Sequence, residues 1–400
     1  MPVPVPSEIR CHSRRNRDFG GLYAALILLS FHWALIIYVN SSFLNQFFND
    51  QTISILYGVS ALFTIFGFLF ILPILHRLGT VRLTILLSLI ELCVLLALPF
   101  SISPTLVAIL FIIHQTIVPI ILFSLDIFME ALTGDCEKET GGRRGIFLTI
   151  MSLTIALSAL LSGYLIGDTV PHFEFVYVTS ALLLIPFLFI IVHSFGTFKD
   201  APNGYAPRME GIKRFWRERD IRNVFCAHFL LQLFFAWMVI YTPIYLSTKM
   251  GFDWELIGKI LFVGLMAYVF LEYIIGVIAD TWLGEKEMMA LGFFIIAIAT
   301  SWFTFLTPNE LGLWMVAMFM TRVGASLIET TTESYFFKHT HDADTALMSF
   351  FRITRPLSIV IGALLGSLTL YFLPMNLLFV VLGLLMIPGL FFAMELRYTK

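Results

Sequence analysis

A few ionisable and polar side chains interrupt long hydrocarbon-like runs in this chain, and chemistry is expected at those positions. His32 stands with Trp33 and Tyr38, and His114 with Gln115. Gln232, Trp237 and Tyr241 form a third group; Arg322 and Ser326 form a fourth, with Glu329 two helical turns beyond Arg322 on the same face. A permanently charged guanidinium in such a setting needs a partner, either a carboxylate such as Glu329 or Glu272 or an anionic group of a ligand. The two histidines suit proton exchange near neutral pH, or a plain hydrogen bond to a neighbouring helix. Trp237 and Tyr241 lie four apart and can stack on a flat molecule, although with 41 phenylalanines in the chain packing is the commoner use of an aromatic ring.

The isolated acids are Glu91 and Glu272. Glu272, near Tyr268 and Tyr273, is the first candidate for a coupling site, because a carboxyl group in low dielectric can carry a proton as a neutral group. Glu91 is expected to make a structural contact or to face lipid. Asp126 and Glu130, and again Glu329 and Glu333, stand four apart and share a helix face. Their like charge needs cations nearby. Arg143 and Arg144 are candidates in the first case, the Arg352/Arg355 pair in the second, acting either as gates or as static staples of helix ends.

The elements that position these residues are membrane spans. Hydrophobic residues make up 58% of the 400 and charged ones 13%, against about 45–50% and about 25% in a soluble domain. That deficit of charge excludes a soluble enzyme, and a net charge of −2 offers no field to recruit nucleic acid. Cys11, Cys93, Cys136 and Cys226 have neither paired nor metal-type spacing. No cofactor, metal or structural disulfide is expected. A span needs about 20 mostly apolar residues. The stretches that qualify are Phe19–Asn40, Thr52–Leu75, Val81–Phe100, Thr105–Glu130, Gly145–Gly167, Phe173–Ser194, Arg222–Thr248, Trp254–Thr281, Met288–Thr307, Leu311–Phe337, Thr345–Leu370 and Met375–Leu396, twelve in all. The apolar run from Phe19 is too long for a signal sequence and is expected to remain as the first span.

Arginine and lysine set the orientation. Arg10, Arg14, Arg15 and Arg17 precede the first span, Arg77 and Arg82 follow the second, Arg143 and Arg144 the fourth, and seven basic residues crowd 199–222. The alternate loops carry almost only Lys249. Both termini are therefore expected in the cytoplasm, with the protein in the plasma membrane. The expected organisation is a cytoplasmic tail (1–18), a first six-helix bundle (19–194), a cytoplasmic linker (195–221), a second six-helix bundle (222–396) and a short cytoplasmic end (397–400). Within the linker the run Ile212–Arg217 reads as a solvated tether or as an amphipathic helix at the headgroups.

The halves repeat one plan at an offset of roughly 200 residues. Glu130 precedes Gly163 by thirty-three residues, as Glu333 precedes Gly366. Arg17-Asp18 corresponds to Arg219-Asp220, and His76-Arg77-Leu78-Gly79 to Asp280-Thr281-Trp282-Leu283-Gly284. Gly163 and Gly167, and Gly362 and Gly366, have the small-xxx-small spacing of close helix contact, so helices 5 and 11 are expected to pack tightly on the opposite half. Pro243 and Pro356 are expected to kink helices 7 and 11.

Twelve spans in two halves, a central loop, and Gly276-Val277-Ile278-Ala279-Asp280 with Gly284 and Lys286 after the eighth span resemble the major facilitator superfamily over residues 19–396. The first half departs from that loop motif, with Leu72 at the glycine and His76 at the aspartate; Thr321-Arg322-Val323-Gly324-Ala325-Ser326 is similar to the family's helix-4 arginine pattern. The resemblance implies an all-α membrane protein in which helices 1, 4, 7 and 10 line a central cavity. It implies substrate contacts from His32, Tyr38, His114, Gln115, Gln232, Trp237, Tyr241, Arg322 and Ser326. Coupling or gating would fall to Glu272, Asp280, Asp126, Glu130, Glu329, Glu333, Arg352 and Arg355. The expected function is secondary transport of a small solute by alternating access, with protons as the candidate coupling ion and export preferred over uptake, by a monomer whose other partners are lipids. The rival classes are a membrane-embedded lipid or glycan transferase and a non-transporting receptor on the same scaffold.

Overall fold

The computed structural model describes residues 7–133, 137–167, 170–198, 217–281, 284–339 and 353–397. Among these, every regular element is helical. The first half comprises α1 (Ser7–Ile37), α2 (Asp50–Leu78), α3 (Thr80–Ala97), α4 (Pro104–Thr133), α5 (Glu137–Ile166) and α6 (Phe173–Phe195). The second comprises α7 (Arg219–Ile244), α8 (Trp254–Thr281), α9 (Glu285–Trp302), α10 (Leu311–His339), α11 (Thr354–Phe372) and α12 (Leu378–Met394). A five-residue helix, Asn40–Leu44, follows α1. Eleven candidate spans are long and apolar enough to cross a bilayer, and within α5 the shorter apolar stretch Ile150–Ile166 falls below that length.

Local signals set the breaks. Asn49 caps α2 by accepting the Thr52 amide at 2.9 Å. Gly79 joins α2 to α3 at φ +78°, a left-handed conformation open to glycine, while its N–H closes the last turn on Leu75 O. Gly167 ends α5 at φ +80°, so it serves the turn and not the helix contact expected of it. Pro243 lies inside α7, which continues as a wider turn over Tyr245–Lys249. Pro356 sits in the first turn of α11, where a missing N–H costs no intrahelical bond, so it starts a helix and does not kink one.

The surface is inverted relative to a soluble protein. Leu69, Phe70, Phe189, Tyr371, Phe372 and Phe391 are exposed, whereas His32, Glu91, His114 and Arg322 are buried. Exposed apolar side chains suit hydrocarbon, and in that solvent helices associate through close packing and internal polar contacts. The halves meet through α5 against α8 and α2 against α11. At the first junction backbones touch: a Cβ on Gly163 would lie 2.5 Å from Trp254 O and 3.1 Å from Gly258 Cα. At the second, Gly58 faces the Ala363 methyl at 3.1 Å. Gly362 and Gly366 face Trp237 and Tyr241 of α7 within their own half, so α11 meets the opposite half through Ala363 and not through its glycines.

The packing differs between the two ends of the molecule. Away from the termini, Val39, Phe43 and Tyr177 of the first half belong to one apolar core with Trp254, Trp314 and Phe379 of the second. Toward the termini the first half has a core of its own, with Phe19, Leu26, Phe128, Leu184 and Phe195, while in the second half the shared core runs on to Ile221, Tyr335 and Leu396, beside a small cluster of Ile275, Met288 and Leu327.

Candidate functional site

At the interface between the halves, residues at the end of α1 face α10 and α11. Arg322 of α10 is 2% exposed, and its Nη2 donates at 3.4 Å to the hydroxyl of Tyr38, in the turn that follows α1. Its guanidinium lies 5.5 Å from the Phe234 ring and 6.0 Å from Phe235, both on α7. Ring faces and one neutral hydroxyl compensate a buried cation only in part: a desolvated cation–π contact contributes about 2 kcal/mol. Among the described residues, Nε of Arg322 has no hydrogen-bond partner and no carboxylate lies within ion-pair distance of this side chain. The expected tight pair with Glu329 or Glu272 is thus not formed, although Glu329 lies near enough to interact electrostatically with both Arg322 and Arg355.

One helical face per element builds the acidic side. Glu272 (α8), Glu329 and Glu333 (α10) are half-buried neighbours, and Ser152 of α5 is in hydrogen-bonding contact with Glu272. Glu329 and Glu333 are neighbours because four residues make about one helical turn; Glu272 joins them because α8 packs along α10. Tyr268, one turn before Glu272, is buried with its hydroxyl unpartnered, close to Glu329, Arg322 and Tyr38. Arg355, exposed at the start of α11, sits 5.3 Å from the Trp33 ring of α1. Tyr38–Arg322 and Trp33–Arg355 are therefore two bridges between the halves, one neutral–cation hydrogen bond and one cation–π contact.

The remaining expected residues are placed as follows. Ser326 is fully buried with an unpartnered hydroxyl. Trp237 donates its indole N–H to Gly362 O at 2.8 Å, and Tyr241 shares a 2.7 Å hydrogen bond with Ser54 of α2. Both are buried and packed edge to face at 5.7 Å, so neither offers a face for stacking. Gln232 is buried beside His228, 3.3 Å away on the same helix, and Gln115 is half-buried on α4. Asp126 is half-buried on α4. The side chains of Glu130 and Asp280, and all of Arg352, lie outside the described residues, as do Ile212–Trp216 of the linker.

His32 and His114 occupy a second polar cluster, sealed within the first half. Glu91 of α3 is wholly buried and contacts His114 Nδ1 through Oε1, with His32 Nε2 3.8 Å from the same oxygen. Glu91 therefore faces the interior of its own half, not lipid. Asn40 Nδ2 lies 3.4 Å from His114 Nε2, and the Tyr177 hydroxyl donates to Asn40 Oδ1 at 2.7 Å. His32 Nδ1 lies 3.0 Å from Ser180 O, while the Ser180 hydroxyl donates to His32 O at 2.7 Å. Neither histidine has appreciable exposed surface, at 0% and 1%.

Sequence reasoning passed over Asn40, Tyr177 and Ser180, and did not join Trp33 or Tyr268 to the binding set. Asn40 carried a signal, since it ends an apolar run two residues after Tyr38, but its partners are 74 and 137 positions away.

Two halves built almost wholly of membrane-length helices, sharing one core away from the termini and bringing buried charge to their interface, define a polytopic membrane protein of the transporter type. The chain belongs to the Major Facilitator Superfamily, whose family model matches residues 22–347. That membership sets it among transporters and not among enzymes. Among solved structures it is similar to the nucleoside transporter NupG, with a TM-score of 0.74 at 12% identity over 94% of this chain and 98% of that one. A mutant of NupG gives the same TM-score at 13% identity, covering 94% and 99%. No curated protein matches the chain.

Proposed function

We propose that the protein is a secondary transporter that moves a small solute across the plasma membrane by alternating access, with protons as coupling ion. The observation that carries this reading is the asymmetric packing: the first half joins the second in one core away from the termini and packs in a core of its own toward them. Rocking about the α5–α8 and α2–α11 contacts exchanges the closed end for the open one. All twelve long helices cross the bilayer in this reading, as two six-helix bundles (19–194 and 222–396) joined by a cytoplasmic linker (195–221). With both termini cytoplasmic, as the arginine distribution supports, the closed end is extracellular and the described state opens inward. The protein works as a monomer.

Substrate contact falls to Trp33, Tyr38, Tyr268, Arg322 and Arg355. An unneutralised guanidinium beside an unpartnered phenol suits a solute with an anionic or hydrogen-bond-accepting group, and the Trp33 ring suits a flat one. Nucleosides, the substrates that NupG's name states, meet the second description and head the panel to be tested. Glu272, Glu329 and Glu333 form the coupling group in the cavity, with Arg355 as their cation. Export is the preferred direction.

The test is a thermal-shift screen of a solute panel on purified protein, followed by proteoliposome uptake with and without a pH gradient. Uptake of a stabilising solute that responds to the gradient is expected. Binding without flux overturns the transport reading in favour of a receptor, and turnover of a lipid substrate overturns it in favour of a transferase.

A further inference from the structure

The sealed cluster of the first half has hydrogen-bond polarities that can be assigned from geometry alone. Tyr177 donates to Asn40 Oδ1, which leaves the Asn40 amide N–H to donate to His114 Nε2. An Nε2 that accepts carries no proton, so neutral His114 must carry its proton on Nδ1 and donate it to Glu91 Oε1. His32 is fixed in the same sense. Its Nδ1 lies 3.0 Å from both the Ser180 carbonyl and the Ser180 hydroxyl; that hydroxyl donates its own proton to His32 O, so both are acceptors toward Nδ1, which bears the proton and leaves Nε2 with a lone pair. That lone pair points toward the Glu91 carboxylate at 3.8 Å, and both His32 Nε2 and Glu91 Oε2 lack hydrogen-bond partners. Two acceptors therefore face each other around a wholly buried anion, a costly arrangement that a single proton relieves.

We propose that His32 and Glu91, with His114 behind them, form a proton-binding site in the first half, separate from the glutamates of the cavity. The bound proton is held on His32 Nε2 or on the Glu91 carboxyl, whose Oε1 lies 3.8 Å away. On either atom it makes the cluster neutral overall and removes one of the two facing acceptors; the proton comes from bulk water and returns there. Four helices supply the facing groups: His32 from α1, Glu91 from α3, His114 from α4 and, through Asn40, Tyr177 from α6. Tyr57 of α2 lies near Tyr177 and is the further titratable neighbour. The electrostatic partners of His32 are Glu91 and His114.

The site is linked mechanically to the closed end. Tyr177 packs edge-on to Phe43 at 5.0 Å, Phe43 packs against Phe173 at 6.0 Å, and Phe173 meets Trp254 of the second half at 5.5 Å. The Tyr177 hydroxyl that starts the hydrogen-bond relay thus belongs to the ring that helps seal the halves. The proton binds with the seal closed, and its loss leaves a buried charge that favours breaking the seal. This rests on the alternating-access reading for its role in transport, but proton binding itself does not.

The experiment uses full-length protein reconstituted in lipid, with infrared pH titration of the carboxyl C=O band and, in parallel, spin labels at Gln46 and Thr248 across the closed end, both exposed. A titrating carboxyl signal is expected in the parent protein and its loss in Glu91→Gln. In His32→Gln, which keeps a polar side chain of similar reach, its midpoint is expected to move by about one pH unit or more, roughly tenfold in proton affinity. The label distance is expected to lengthen as pH rises in the parent and to become pH-independent in Glu91→Gln. An unchanged carboxyl titration in both variants, each folded by circular dichroism, overturns the site whether or not the protein transports anything. An intact Glu91-dependent titration with a label distance indifferent to it overturns the link to the seal.

Discussion

Tyr38 and Arg322 touch across the two halves of the molecule: a phenol in the turn after α1 accepts a 3.4 Å hydrogen bond from a guanidinium of α10, 284 positions away. The contact ties the halves together through a side chain that is buried and, among the described residues, has no carboxylate within ion-pair distance. A guanidinium inside a membrane span costs about 2.5–3.5 kcal/mol on insertion scales, which makes Arg322 the first position to test for a part in binding.

Arg322 should therefore decide binding. Arg322→Gln is expected to weaken a stabilising solute about 10- to 100-fold, the loss of a charge-assisted hydrogen bond of about 1.5–3 kcal/mol. Arg322→Lys should not restore it, because an ammonium cannot reproduce the planar fork. Titration calorimetry on the solute found by thermal shift checks both, and equal affinity in all three proteins removes Arg322 from the site.

Tyr38→Phe removes only the bridging hydroxyl. Affinity should change by less than about tenfold, since a single hydrogen bond of this kind is worth about 0.5–1.5 kcal/mol. The closed state should lose occupancy relative to the open one, and solvent labelling of single cysteines at the closed end would register that as faster modification.

Glu272→Gln tests the coupling group of the cavity. Concentrative uptake driven by a pH gradient is expected to fall while exchange of solute at equal pH persists, because exchange needs no net proton movement. Gradient-driven uptake at the parent level would exclude Glu272 from that role.

The α5–α8 junction admits no side chain. Gly163→Ala puts a methyl group against a backbone carbonyl and the Gly258 Cα, neither of which can rotate away. A loss of about 1–3 kcal/mol is expected from overpacking, read as a lower thermal midpoint in detergent. Gly20→Ala, where a Cβ meets nothing within 4 Å, is the control and should be neutral.

Near the termini, Arg219 and Glu395 form a 2.6 Å ion pair between the start of α7 and the end of α12, both well exposed. The Arg219 hydrogen bond holds the Glu395 carboxyl below its ordinary value of 4.5. A carboxylate lowered in the folded state contributes stability above its unfolded pKa and loses it as pH falls through the folded one. The thermal midpoint of Arg219→Gln should lie slightly below the parent at pH 7 and low salt, and merge with it below about pH 4 or in high salt. A gap that persists in acid or at high salt would mean that the arginine stem packs rather than pairs.

The sequence by itself determined the medium, the halves and the helices. Hydrocarbon tolerates few charges and requires about twenty apolar residues per crossing, so composition and spacing placed a span on each long helix, although the starts of α1, α5 and α11 lie about two to three turns from the expected ones. Proline and glycine were less readable, because their effect depends on position within a helix: Pro356 starts one, and Gly167 turns the chain where contact with another helix was expected. Which way each polar residue faces was decided only in three dimensions. His32 and His114 share with Arg322 the same signature of a polar group in an apolar run, yet the histidines turn inward to Glu91 while the arginine meets the opposite half. Periodicity fixes a residue's angle around its own helix; what stands at that angle depends on the tilt and depth of other helices, 23 positions away for His114 and Glu91 and 284 for Arg322 and Tyr38, and no local pattern encodes that.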